Sequence, residues 1–442
     1  MLDFRPPLDT PFLFWWAKLN LPLHMKFQLK GTTIKIMDGA LERFAKVKGK
    51  HTMICPNHSN RHDPQTMFTF GTAAGEYFNF VAAREVFDYD HGLNGWWLQH
   101  LGTYSVVRGA ADRESFKTTR RILSEGKKKL VLFPEGEISR QNDTIMPLES
   151  GAAQLSFWAM SDLEKHAKES KNGKPETVAS SGATAAGDST SSESPGFEPI
   201  YILPMAFKYT YPRDISSELR GSLKSLELRL GLKVEEEDTF QARIKRLAET
   251  LLSTLEKEYN YKKKDGATMN ERVKALRVHI LKNLAGVLNI ELEPNARELE
   301  AVRILRNKLD DFIYADESGL SKYEKEVHED KERTYKTYYK DLNRVVNFIS
   351  IYDGYVTERA TQERIAEVLD RMETEVIGSE PSLKGSREVL IDVGEPINLG
   401  DYWAEYKTHK KETINKVTDR LFAEISRMLT KMETERTPRY LD

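Results

Sequence analysis

The sequence predicts an α/β fold, a sheet with helices on its faces interrupted by a large all-helical stretch, on three observations. Short apolar runs bounded by turn residues, among them His51–Cys55, Leu130–Phe133 and Pro199–Phe207, alternate with helical patterns over the first 212 residues. From 213 to 387 the chain changes to long, charged stripes with apolar residues at three- and four-residue steps. A strand pattern then returns at Val389–Ile397, and an amphipathic helix follows from about His409 to Met432.

Composition removes several function classes. A chain of 442 residues holds two or three domains, and 39% hydrophobic with 30% charged residues is ordinary for a globular protein with long polar helices. The formal net charge of -2 gives no overall case for nucleic acid or for an anionic surface. A single cysteine excludes an internal disulfide framework and fits a reducing compartment, so a cytoplasmic setting is expected. No stretch reaches the ~18 continuous apolar residues of a membrane span. Leu2–Leu8, with an aspartate and prolines, does not read as a signal peptide.

Taken in order, residues 1–27 form an amphipathic N-terminal segment containing Pro11-Phe12-Leu13-Phe14-Trp15-Trp16-Ala17-Lys18. Its aromatic residues with Lys18 and Lys26 suit either the headgroup boundary of a bilayer or a helix packed on the sheet. Met25–Ile36 reads as a strand, Gly39–Lys48 as a helix, and His51–Cys55 as a buried strand stopped by Pro56. Pro64 opens the next helix, and Phe78–Ala82 is the next strand. Leu93–Leu101, with Trp96 and Trp97, reads as core in preference to an acyl pocket. Tyr104–Val107 is a short β-branched strand, and the basic residues from Lys117 to Lys129 lie mostly on a solvated helix face. Leu130–Phe133 is a strand and Pro147–Met160 a helix. Residues 164–196, rich in Ser, Thr, Ala and Gly toward their end, cannot bury enough surface to offset ordering and read as a disordered surface loop.

The chemistry concentrates in Cys55-Pro56-Asn57-His58-Ser59-Asn60-Arg61-His62-Asp63-Pro64, just past a strand end. An unperturbed histidine is mostly neutral near pH 7, so His58 suits a general base, and Asp63 suits the partner that fixes its tautomer. The same spacing also fits a histidine and an aspartate capping the next helix. A zinc helix is disfavoured, because the glutamate of that motif is missing between His58 and His62 and two prolines bracket the segment as a loop. No Gly-x-Ser-x-Gly turn occurs, and Cys55 lies inside an apolar run, so no nucleophile accompanies the pair. The simplest reaction is direct: His58 deprotonates a substrate hydroxyl that attacks an activated acyl group.

Asn57-His58-Ser59 with Asp63 resembles the first motif of the glycerophosphate acyltransferase family. Gly102–Gly109 resembles the second motif, Phe133-Pro134-Glu135-Gly136 the third, and Ile202-Leu203-Pro204-Met205-Ala206 the fourth. Gly394-Glu395-Pro396 is similar to the Gly-x-Pro end of that domain's last strand, which implies that 213–387 is a helical insertion within one catalytic domain. The resemblance therefore implies an acyltransferase domain in two parts, 28–212 and 388–435.

His58 and Asp63 are the catalytic residues this implies. Arg108, with Glu135, Gly136 and Arg140, would hold the acceptor's phosphate, and Pro204 would border the acyl donor. Arg140 stands in for an arginine that directly follows a threonine in the commonest pattern; here Glu137-Ile138-Ser139 intervene. Arg108 also suits an ion pair with Asp112 or Glu114. Acyl-CoA or acyl carrier protein would be the donor and 1-acylglycerol 3-phosphate or glycerol 3-phosphate the acceptor. Neither a resident cofactor nor a metal is needed, and peripheral contact with the inner face of a membrane is expected. A non-catalytic lipid or carrier-protein scaffold is the rival from another class.

Overall fold

The computed structural model describes residues 3–107, 112–172, 196–293, 296–315, 319–349, 355 and 358–441. Its centre is an eight-stranded sheet. The strands are β1 (Thr33–Ile36), β2 (Thr52–Pro56), β3 (Phe78–Ala83), β4 (Thr103–Val106), β5 (Lys129–Val131), β6 (Tyr201–Thr210), β7 (Glu388–Val393) and β8 (Ile397–Asn398). They run in the order β1-β7-β6-β2-β5-β3-β4, with β8 added on β6. Pairing from β6 through β4 is parallel, and β7 and β8 meet β6 antiparallel.

Both faces of the sheet are covered, which is why its strands read as continuous apolar runs. Alternation assigns Met53, Cys55, Leu130, Ile202 and Ala206 to one core. Ile54, Val131, Leu203, Met205 and Phe207 belong to the other. The first face packs against α5 (Arg113–Glu125), α6 (Gly151–Asn172) and α14 (Lys410–Glu435), with α13 (Trp403–Thr408) beside them. The second carries α2 (Ala40–Ala45) and α3 (Asp63–Ala74). Preceding and flanking this layer are α1 (Pro11–Phe27) and α4 (Leu93–His100).

Between β6 and β7 the described chain is helical: α7 (Ser216–Arg229), α8 (Phe240–Glu258), α9 (Met269–Val287), α10 (Glu298–Ile313), α11 (Lys322–Ile349) and α12 (Gln362–Ile377). These helices share a core of their own, including Leu223, Leu247, Leu251, Leu305, Leu342, Ile365 and Leu369. The apolar stripes of the sequence are the residues that fill it.

Three expectations change. Only Thr33–Ile36 of the expected strand from Met25 is strand, because Met25 is buried on the same helix face as Phe14, three turns earlier, and α1 runs on to Phe27. Lys30 and Gly31, both at positive φ, then turn the chain into β1. The helix expected to end at Met160 continues through Asn172, so the loop does not begin at residue 164; Leu163, just before it, packs against the sheet core. The rest of that expected loop, 173–195, lies outside the described residues. Finally, Trp96 is 45% exposed and is surface where core was expected.

Candidate active site

The β2 strand delivers the site. After Pro56 pairs with Met205 on β6, Asn57 extends the ladder by its side chain: its Oδ1 accepts the Phe207 N–H at 2.7 Å, and its Nδ2 donates to the Phe207 carbonyl at 3.0 Å. Asn142 does the same two residues further along β6, accepting from Tyr209 N–H and donating to its carbonyl at 2.7 and 2.6 Å. Two buried amides therefore satisfy a strand edge that no neighbouring strand covers.

The next residue, His58, has Nδ1 2.9 Å from Asp63 Oδ2. Asp63 is fully buried, and its carboxylate also accepts the Asn60 N–H at 2.8 Å and the Tyr209 O–H at 2.7 Å. With three donors converging on it, Asp63 acts as an acceptor, which leaves the proton on His58 Nδ1 and the lone pair on Nε2. The imidazole stacks on Phe133, with ring centroids 4.2 Å apart, so its plane is fixed as well as its tautomer. Capping does not explain the pair: α3 is preceded by His62 and carries no side-chain cap bond. His62 Nδ1 lies 2.9 Å from Asn60 Oδ1 and 3.2 Å from Arg387 Nη2, and burial pushes its pKa down to about 3. Among the described residues no group of three His, Cys, Asp or Glu is placed to hold a metal ion. Cys55 is fully buried and its thiol is pushed well up by desolvation, so it is no nucleophile.

Glu135 is held just beyond β5, where Gly136 makes the turn at φ 72° and donates its N–H to Phe133 at 3.2 Å. One carboxylate oxygen accepts the His58 backbone N–H at 2.5 Å, and the other accepts the Met146 N–H at 2.8 Å. Ser139 completes the frame by donating N–H and Oγ–H to the His58 carbonyl at 2.8 and 3.1 Å. Glu135 thus grips the backbone of the histidine, and its charge is spent inside the protein.

Burial pushes the Glu135 carboxyl up to about 7, against the opposing pull of the His58 and Met146 N–H groups. A carboxyl raised in the folded state stabilises below its unfolded pKa and loses that contribution as pH rises through the folded value. Relative to Glu135→Gln, the wild type should therefore lose up to about 3 kcal/mol of stability between about pH 4.5 and pH 8. Urea unfolding of both proteins across that range checks this, and a difference constant with pH contradicts it.

The remaining expected residues spread out. Arg140, at φ 52°, donates from Nη1 to Thr374 Oγ1 of α12 at 2.8 Å and has Nη2 3.5 Å from Glu380. It lines a small cleft with Ser59, Asn60, Tyr209 and Arg387. Pro204 lies buried inside the sheet beside Cys55, its carbonyl accepting the Gly394 N–H at 2.9 Å. A Cβ on Gly394 would meet that proline at 3.1 Å, which accounts for the glycine of Gly394-Glu395-Pro396. Arg108 and Gly109 lie outside the described residues.

A family model described as Acyltransferase matches residues 40–163, the span from α2 through most of α6 that contains His58, Asp63 and Glu135. Residues 40–163 are thus similar to that family. The activity this family supports is acyl transfer. A search of curated proteins finds no match to the chain. Strands β6 to β8 and helices α7 to α12 lie beyond the matched residues, although β6 supplies Tyr209 to the Asp63 carboxylate. Tyr209, Asn142 and Ser139 escaped the sequence reading. Tyr209 alone left a signal, the alternation along β6 that puts it on the same face as Leu203, Met205 and Phe207.

Proposed function

We propose that this protein transfers a fatty acyl group from acyl-CoA or acyl carrier protein to the free hydroxyl of 1-acylglycerol 3-phosphate, giving phosphatidic acid. The observation that carries the reading is the His58–Asp63 pair: Nδ1 is tied to a buried carboxylate, inside the stretch similar to the acyltransferase family. His58 Nε2 takes the proton of the acceptor hydroxyl while the oxygen attacks the thioester carbonyl; the thiolate leaves, and the proton is returned to it. Holding donor and acceptor together removes much of the entropic barrier. Arg108 is the proposed clamp for the acceptor phosphate, since a guanidinium binds phosphate bidentately. Pro204, buried in β6, would border the donor side only through the strand that carries it. The scheme uses no resident cofactor or metal.

The long helical stretch between β6 and β7 keeps glycerol 3-phosphate open as the acceptor. Product analysis separates the two. Palmitoyl-CoA supplied with each acceptor should give phosphatidic acid from the 1-acyl form, faster than 1-acylglycerol 3-phosphate forms from glycerol 3-phosphate. The reverse order would assign the earlier acylation, and no ester product from either, with either donor, would overturn the reading in favour of a scaffold.

Peripheral contact with a lipid surface is the second part of the proposal. Along α1, Trp15, Leu19, Leu23 and Phe27 recur every fourth residue and are 56–69% exposed, with Phe12 beside them. Trp16 stacks on Trp97 of α4, and Leu93 and Trp96 extend the apolar surface. An uncovered stripe of aromatic and aliphatic side chains flanked by Lys18 and Lys26 fits the headgroup boundary. No helix among the described residues is long and apolar enough to cross a membrane. Trp15→Glu combined with Leu19→Glu should lower partitioning onto anionic phospholipid vesicles at least about tenfold; unchanged cosedimentation would refute the contact.

A further inference from the structure

Among their contacts with the sheet domain, the helices between β6 and β7 reach back onto the loop that follows β5. Arg303 of α10 donates from Nη2 to the Glu135 carbonyl at 3.1 Å, and that nitrogen also lies 3.4 Å from the Pro147 carbonyl. Its Nε sits 2.5 Å from Glu149 Oε1, while the Glu149 N–H donates to the Pro134 carbonyl at 2.7 Å. One helical turn on, the buried Arg306 pairs with Glu137. From α12 the fully buried Arg371 donates to the Arg140 carbonyl, and Thr374 receives Arg140 Nη1. Three arginines of the helical segment thus hold Glu135, Glu137 and Arg140, spaced along a single loop.

We infer that this helical segment is a working part of the active site, and that Arg303 is a positioning residue for the acyl transfer proposed above, on which the inference rests. The link is short. Arg303 fixes the main chain of Glu135, and the Glu135 carboxylate fixes the main chain of His58 at 2.5 Å. A planar guanidinium serves the Glu149 carboxylate and the Glu135 carbonyl from two nitrogens in a fixed fork, a geometry that the single nitrogen of an ammonium does not reproduce. If the Glu135 turn shifts, the His58 backbone shifts with it, while the surfaces that bind donor and acceptor stay in place. The loss therefore falls on kcat and not on KM.

The test is steady-state acyl transfer by the full chain with palmitoyl-CoA and the better glycerophosphate acceptor, for wild type, Arg303→Gln and Arg303→Lys, each with its Tm. Displacement of a reacting group by about an ångström costs on the order of 10²-fold, so kcat of Arg303→Gln should fall by about that factor with both KM values within about twofold. Arg303→Lys keeps the charge opposite Glu149 and should recover only part of the rate. Arg333→Gln, on an exposed stretch of α11 where the arginine meets only Asp330, should match wild type. Should Arg303→Gln fail to fold, Arg303→Lys is judged alone, a kcat loss at unchanged KM being required. A variant with lowered Tm but unchanged kcat per folded molecule would show a merely structural arginine and overturn the inference. Absence of transfer by the wild type would instead overturn the function on which it rests.

Discussion

His58→Ala should lower kcat by about 10²–10⁴-fold, the range a positioned general base supplies. The substitution removes a side chain whose ring nitrogen is oriented by a buried carboxylate and whose plane is stacked on Phe133. The fold should survive, because the loop keeps its other anchors. Asn57 is bonded to β6, the His58 main chain is held by Glu135 and Ser139, and none of these contacts uses the imidazole. The expected signature is therefore lost turnover with KM and Tm near wild type. Rates within about tenfold of wild type would remove His58 from the mechanism.

Asp63→Asn should cost about as much in kcat, and more in stability. The carboxylate accepts from His58 Nδ1, Asn60 N–H and Tyr209 O–H, and its negative charge is what stabilises the imidazolium as it forms. An asparagine NH₂ pointed at the first two would face donors, and the histidine escapes the clash by moving its proton to Nε2. That tautomer has no lone pair for the acceptor hydroxyl, so kcat should fall about 10²–10⁴-fold. Leaving a buried donor unpaired costs about 1–3 kcal/mol, which urea unfolding reads directly. A fully active Asp63→Asn protein would show that the carboxylate does not set the tautomer.

The local geometry of the His58–Asp63 loop was legible in the sequence. A buried strand stopped by Pro56, then a histidine and an aspartate five positions apart before Pro64, specified the loop and its pair, and the apolar stripes specified α8 to α10 and α12. What the sequence withheld depends on long-range register. Tyr209 reaches Asp63 across 146 positions, and it does so because β6 pairs with β2 from Thr52 to Pro56. Arg303 reaches Glu135 across 168, and no local pattern distinguishes it from Arg306 of the same helix. Glu135 was found by its motif, but its use was not. Only the fold shows both carboxylate oxygens taken by main-chain N–H groups, a poor arrangement for greeting a phosphate and a good one for bracing a histidine. At the N-terminus, the continuous apolar pattern past Met25 fitted strand and helix alike, and the burial of Phe14 and Met25 on one face decided for helix.

The central claim is direct transfer, with His58 activating the acceptor and no acyl group parked on the protein. Free-thiol release from palmitoyl-CoA, followed at protein concentrations close to those of the donor, tests it most directly. Donor alone should give no burst, and addition of 1-acylglycerol 3-phosphate or glycerol 3-phosphate should start release in the wild type but not in His58→Ala. A stoichiometric burst before any acceptor is added, or release indifferent to His58, would contradict it.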